Sequence, residues 1–396
     1  MAALLLTPYL AFAQTGAPLT LEGAIARAAA SNRAFLAAQL QRAVDLAGVD
    51  VARERLNPEL SYEYAKETPH QAFSVIMPIE TGGKRQRRID LAQATVAVTQ
   101  ADIQRLTIDL RSRVRTAYFA VVAANRRAGL AGDLRALALR ARDAAQVRFQ
   151  AGDVARLEVV QTELALADAD NDVTAARGEI RATLAELNEL LAQPAGGELA
   201  LADDLGHAPL PTLEQAQSLA TGSNTELALL DQRLAAQKAR RDLARAMQTP
   251  DVAAGAAYTF DAQPEFSHGY RFSAGLTIPI FTRYKAAVVV EEAALARLTA
   301  ERDATLAQIN AAVAAAIERA AAAREQVRRG ETETLPRAAE VERMAQEAYA
   351  SGQSGLVALL QALQFTRDVR QRNLDALVQY QTALADLERA IGAPLP

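Results

Sequence analysis

The side chains best able to hold a metal or move a proton at neutral pH are three histidines, His70, His207 and His268. A dedicated metal centre needs three or four ligands that converge. These three share neither helical nor hairpin spacing and fall in turn or linker sequence, so they read as surface residues. The chain has no cysteine, which removes disulfides, thiolate metal sites, a thiol nucleophile and a lipid-modified N-terminal cysteine together. No glycine-rich phosphate loop, nucleophile elbow or paired-carboxylate motif is present. The densest charge is the run Lys84-Arg85-Gln86-Arg87-Arg88. Such a run could face phosphates, but it opens a helix without interleaved aromatics, which argues against a nucleic-acid partner. The expectation is a protein that is not an enzyme and needs no cofactor, so function must lie in the shape its elements make.

The 43 basic and 47 acidic residues are mixed along the chain, and a net charge of -4 sets up no global field toward nucleic acid or an acidic substrate. Half the residues are hydrophobic, with alanine a large part, which favours helices and thin, closely packed interfaces. Residues 1–13 are mostly apolar and end in Ala11-Phe12-Ala13, a small-x-small pattern that suits cleavage before Gln14. They read as a truncated signal peptide lacking its basic start, with an ordinary apolar N-terminus as the alternative. No other stretch approaches the ~18–20 continuous apolar residues of a membrane helix. Any membrane crossing would have to use strands.

The chain is organised as two similar halves. Thr20-Leu21-Glu22 returns as Thr212-Leu213-Glu214, Asn32 as Asn224 and Pro58 as Pro250, each pair 192 residues apart. The first half spans 19–192, the second 212–392, and the Pro- and Gly-containing stretch 193–211 links them. In the first half, alternation places strands at 59–66 and 71–79, the second carrying Phe73, Val75, Met77 and Ile79 on one face. Gly82-Gly83-Lys84 then converts strand into helix. Apolar positions from Ile103 through Leu106, Leu110, Val114 and Tyr118 to Val121 recur at three and four residues. They predict a helix over 84–150, some 100 Å long at ~1.5 Å per residue, turning at Ala151-Gly152-Asp153 into a returning helix over 155–191. The second half predicts strands at 251–260 and 269–280, the length a tilted membrane strand requires, then helices over 285–349 and 354–391. In the last helix Leu356, Leu363, Leu377, Leu384 and Ile391 share one seven-residue register, as in a coiled-coil seam.

Four strands with one apolar and one small or polar row cannot close a barrel alone, nor lie open in lipid with unpaired edges. Other chains must complete them. Tyr62, Tyr64, Tyr258, Phe260, Tyr270 and Phe272 suit the aromatic girdle of an outer-membrane barrel, and the core of a soluble sheet is the alternative. The two repeats of strand hairpin and long helical hairpin, with SVIMPIETGGKRQRRI at the first strand-to-helix junction and YASGQSGLVALLQA at the last turn, resemble the TolC-type outer-membrane efflux channel family. PIETGGKR is similar to its heavy-metal cation resistance branch, which serves cobalt, zinc and cadmium or copper and silver. The likeness covers 19–392.

The resemblance implies a mainly α fold with a small transmembrane β-barrel: a homotrimer whose twelve strands close in outer-membrane lipid above a periplasmic α-helical barrel. It implies the exit duct of a tripartite pump in a Gram-negative cell, coupled to a periplasmic adaptor (membrane fusion protein) and an inner-membrane efflux transporter, and passing heavy-metal cations. Adaptor contact would fall at the helical turns, here Gly152, Asp153, Gly352 and Gln353. On this reading the basic run after Gly83 marks the periplasmic membrane edge or subunit ion pairs. Some members close the tip with acidic rings in the second repeat. Here Ala358 and Gln361 stand at those positions, while the first repeat offers Glu158, which reads either as a cation-attracting ring in three copies or as a solvated helix-face glutamate. A secreted or periplasmic coiled-coil structural or adaptor protein is the alternative to the whole reading.

Overall fold

The computed structural model describes residues 18–202, 210–264 and 266–395. The proposed signal peptide and His207 lie outside the described residues. In chain order the elements are α1 (Leu21–Ser31), α2 (Arg33–Arg53), β1 (Glu59–Tyr64), β2 (Gln71–Ile79), α3 (Lys84–Ala151), α4 (Arg156–Leu190), α5 (Leu213–Ser223), α6 (Thr225–Ala246), β3 (Asp251–Ala262), β4 (Phe266–Thr277), α7 (Lys285–Arg329), a π-helical turn (Gly330–Thr334), α8 (Leu335–Ala350) and α9 (Leu356–Ile391). Among the described residues no helix is long and apolar enough to cross a membrane. The chain divides into two compact units: one holds the described parts of 1–32, 111–208 and 319–385, the other those of 33–110, 209–318 and 386–396.

Helix starts follow local capping chemistry. Thr20 Oγ1 accepts the Gly23 N–H, and Thr212 forms a reciprocal capping box with Gln215. α3 runs unbroken through Gly129 and Gly132, with Leu110, Val114, Tyr118 and Val121 buried along one stripe. α9 buries Leu356, Leu377, Leu384 and Ile391, the coiled-coil register read above. The helix predicted over 285–349 is instead two helices. Pro336 has no amide hydrogen to continue the ladder, so the chain widens into a π turn in which the Leu335 N–H donates to Gly330 O. Gly330 packs so close to Asn373 that a β-carbon would overlap the asparagine side chain.

The same latch closes the helical pair in each half, once in each unit. In the first unit Ser31 Oγ donates to Leu191 O (2.9 Å) and Asn32 Nδ2 to Leu190 O (3.1 Å). In the second, Ser223 Oγ donates to Ile391 O (3.1 Å) and Asn224 Nδ2 to Ala390 O (2.7 Å). These bonds satisfy helix C-terminal carbonyls that would otherwise lack partners. Each chain then leaves its helix through a left-handed residue, Gly392 (φ 82°) in one case and Ala192 (φ 54°) in the other. Alanine is disfavoured there. Ala192→Gly is expected to raise stability by about 1 kcal/mol, seen as a higher thermal midpoint in detergent.

The sheet is a four-stranded antiparallel meander in the order β1-β2-β3-β4. β1 ends at Tyr64 rather than 66, and β4 runs from Phe266 to Thr277 rather than over 269–280. The shift has a plain cause. β3 starts at Asp251, paired with Thr277, so Ile278 and Ile280 have no ladder partner on that side, and the other side of β4 is an open edge.

Candidate functional site

The sheet separates two chemistries onto its two faces. Cross-strand partners line up Tyr62, Phe73, Tyr258 and Tyr270 in one row that crosses all four strands. Rings meet at its two outer steps, with centroids 4.8 Å apart for Tyr62 and Phe73 and 5.2 Å for Tyr258 and Tyr270. Phe260 stacks at 6.0 Å from Phe73, beside Tyr64 in the neighbouring row through Gln71. Toward the helices the same face continues with Leu60, Val75 and Phe272, then Met77, then Ile79 and Leu276, all exposed. Exposed apolar rows with an aromatic band at one end are what a lipid interface selects. The opposite face carries Ser61, Ser74, Ala257 and Arg271 in one row and Glu63, Ala72, Thr259 and Gly269 in the next. Small and charged side chains there suit water.

The junction after β2 is held by chemistry from the other half of the chain. Gly82 and Gly83 take φ of 64° and 73°, and a β-carbon on Gly82 would overlap the Thr249 side chain. This tight reversal drops Lys84, only 5 % exposed, onto the start of β3. Its Nζ donates to Asp251 Oδ2 (2.6 Å) and Thr249 O (2.9 Å). The Thr81 N–H donates to Asp251 Oδ1 at 3.2 Å and its hydroxyl to Pro250 O. The rest of the basic run caps α2. Arg85 donates to Arg53 O, and Arg88 to Ala52 O and Glu54 O while pairing with Glu80 at 2.6 Å, which places positive charge at a helix C-terminus. Within the chain the run's partners thus include the end of α2, Glu80 and Asp251. Asp251 went unnoticed in the sequence, although an acid directly after proline, Glu59 and Asp251, marks both halves.

At the helical turns the two halves again coincide. Gly152 (φ 86°) and Gly352 (φ 73°) end α3 and α8. The Asp153 N–H bonds back to Arg148 O at 2.9 Å and the Gln353 N–H to Ala348 O at 2.8 Å, a six-to-one closure that requires a left-handed residue before it. Glu158 sits half-buried in the first turn of α4. It faces a residue that sequence reasoning did not single out, Tyr349, which is 2 % exposed and lies under the Arg148 guanidinium, 5.1 Å from its ring centre. The matching aromatics Phe149 and Tyr349, 200 apart, were the available signal. Burial pushes the Tyr349 phenol above its ordinary pKa, the Glu158 carboxylate adds to that shift, and Arg148 opposes it. The hydroxyl lies near both charges yet makes a well-formed hydrogen bond to neither, and Arg148 Nη1 and Ser354 Oγ are also buried without partners. The first unit thus holds a small group of buried polar atoms without partners beside these turns.

His70 and His268 do not form part of a metal-binding group. His70 Nδ1 contacts Ala65 O at 3.3 Å, and His268 lies at the β4 end of the aromatic band, 3.1 Å from Ser267 Oγ. Among the described residues no group of three or more histidine, aspartate or glutamate side chains could hold a metal ion.

The family model for outer membrane efflux proteins matches residues 24–193 and 216–393. The chain is 30% identical over 284 residues to the cobalt-zinc-cadmium resistance protein CzcC of Cupriavidus metallidurans, covering 68% of this chain and 65% of that one. It is 28% identical over 158 residues to the nickel-cobalt-cadmium resistance protein NccC of Alcaligenes xylosoxydans, covering 37% and 36%. Each match spans less than two thirds of the relative's length. Among solved structures, that of CusC, described for its transmembrane channel formation, superposes with a TM-score of 0.78 at 17% identity, covering 94% of this chain and 92% of that one. The two-part match, the duplicated hairpins and the aromatic-banded sheet agree: the chain is an outer-membrane protein and a member of the outer membrane efflux protein family.

Proposed function

We propose that three copies of this chain form the outer-membrane exit duct of a tripartite efflux pump, passively conducting heavy-metal cations from the periplasm to the exterior. The observation that carries the reading is the sheet, with one apolar face, an aromatic band and two open edges, too few strands to close alone. The names of CzcC and NccC support cations as the cargo. An inner-membrane transporter would supply the driving force and a periplasmic adaptor would engage the turns at Gly152-Asp153 and Gly352-Gln353. Ser61, Glu63 and Arg271 would wet the passage.

The test is conductance of the detergent-purified protein in planar bilayers, with its mass measured in the same detergent. A particle of three copies with discrete conductance steps is expected. A water-soluble monomer, or recovery from a washed, detergent-free fraction, would overturn the duct. On this reading Glu158, Tyr349 and Arg148 hold the tip shut. Because the Tyr349 phenol is raised in the folded state, its contribution to tip closure is complete below the ordinary phenol value near pH ~10 and lost as pH rises through the folded value. Conductance should therefore climb in alkali, and Tyr349→Phe should flatten that rise; an unchanged alkaline limb in the variant would place the gate elsewhere.

A further inference from the structure

The two hairpins share one register. Moving β1 by 192 residues and β2 by 201 converts the pair Glu59↔Ile76 into Asp251↔Thr277, Tyr62↔Phe73 into Ala254↔Ala274, and Tyr64↔Gln71 into Ala256↔Phe272, and all are observed partners. The second shift also holds past the strands. Pro78-Ile79-x-Thr81-x-x-Lys84 returns as Pro279-Ile280-x-Thr282-x-x-Lys285, and the left-handed Gly83 (φ 73°) returns as Tyr284 (φ 53°). The first shift turns Thr249-Pro250-Asp251 into Asn57-Pro58-Glu59.

Two features break the correspondence: the left-handed Gly82 (φ 64°) returns as Arg283, which takes no positive φ, and one contact is missing. In the first half Lys84 is buried against Asp251, across the seam where β2 meets β3. Its counterpart Lys285 is exposed, as are Thr282, Asn57, Pro58 and Glu59, and neither the Lys285 nor the Glu59 side chain makes an ion pair or hydrogen bond among the described residues. The same shifts map the β2·β3 seam onto β4 and β1, the two open edges of the sheet, which the meander keeps apart within one chain. Only a second copy can supply the missing half.

Where β4 of one copy meets β1 of the next, we infer one defined register, latched by an ion pair from Lys285 to Glu59 of the second copy. This rests on the reading above that several copies close a barrel. Val252↔Ile79 becomes Leu60 of the second copy opposite Ile280, Ala254↔Met77 becomes Tyr62 opposite Ile278, and Ala256↔Val75 becomes Tyr64 opposite Leu276. This register keeps the large apolar side chains of both edges on the same face, Leu60, Tyr62 and Tyr64 with Leu276, Ile278 and Ile280, whereas a slip of one residue would set one strand's apolar row against the other strand's polar one. It also gives Ile278 and Ile280 the ladder partners they lack in the single chain. Thr282 takes the role of Thr81 and donates to the Glu59 carboxylate and Pro58 O, while Lys285 Nζ also reaches Asn57 O. Because the two edges differ, the joint is head-to-tail and closes into a ring.

The absence of cysteine makes the test clean. Residues directly opposite across antiparallel strands lie about 4.5–5.5 Å apart at Cα, within disulfide reach, whereas partners offset by two residues do not. Tyr62→Cys with Ile278→Cys should form covalent dimers and trimers under mild oxidation, at least about tenfold more than Tyr62→Cys with Leu276→Cys or with Ile280→Cys. Lys285→Glu and Glu59→Lys should each lower the temperature at which copies separate, and the double exchange should restore it. Preferential cross-linking of an offset pair, or failure of the double exchange to restore assembly, overturns the inference. So does the absence of every cross-link in a particle of three-copy mass, which would leave the duct reading standing. A monomer in detergent overturns both.

Discussion

Gly392→Ala is expected to destabilise the protein by more than about 4 kcal/mol. A left-handed alanine alone costs about 1–2 kcal/mol. The larger part is steric: a β-carbon at Gly392 would lie 2.6 Å from Asn224 Cα and Ser223 O and 2.8 Å from Thr225 N. All three are backbone atoms, so no rotamer change relieves the overlap, and the α5–α6 corner must lift from the end of α9. Lifting breaks the bonds from Ser223 and Asn224 to Ile391 O and Ala390 O. It also opens the cluster in which Leu387 and Ile391 pack on Ala220, Leu227, Val313 and Ile317. Chemical denaturation of the detergent-solubilised protein reads the effect directly. A loss under about 1 kcal/mol, no more than the left-handed conformation itself costs, would mean that this corner is not rigid.

Lys84→Met should cost about 2–3 kcal/mol, below the range for breaking a fully buried pair, because the Asp251 side chain is 42% exposed and water screens what remains. The substitution preserves the aliphatic stem but leaves Thr249 O and Asp251 Oδ2 without their donor, the Thr81 N–H still serving Oδ1. The consequence reaches past stability. Lys84 ties the start of α3 to the start of β3, so strand pairing around it should fray while the helical turns stay intact. Hydrogen exchange would show faster exchange at Ile79 to Thr81 and Val252 with the α4 amides unchanged. Adding Asp251→Asn should recover part of the loss, since it removes the uncompensated charge; a double variant no better than the single one would show that Lys84 acts only by packing.

What the sequence determined by itself was everything whose physics is local. Alternation at period two and apolar spacing of three and four located the strands and the long helices, since each reports only which face of its own element is dry. Thr20 and Thr212 announced helix starts, Gly152 and Gly352 announced turns, and the constant offset announced duplication. Departures from that reading arose where a local rule met a distant neighbour. The end of β4 was set by where β3 begins, and the break in the helix predicted over 285–349 by Pro336 together with the fit of Gly330 against Asn373. The tertiary structure alone decided the partners. Lys84 and Asp251 are 167 residues apart and Glu158 meets Tyr349 from another hairpin, and no periodicity encodes such pairings, because they depend on how whole elements dock. The aromatic row lies between these extremes. Its residue types were legible strand by strand, but that Tyr62, Phe73, Tyr258 and Tyr270 form a single band is a property of register, which is fixed only when four strands pair at once.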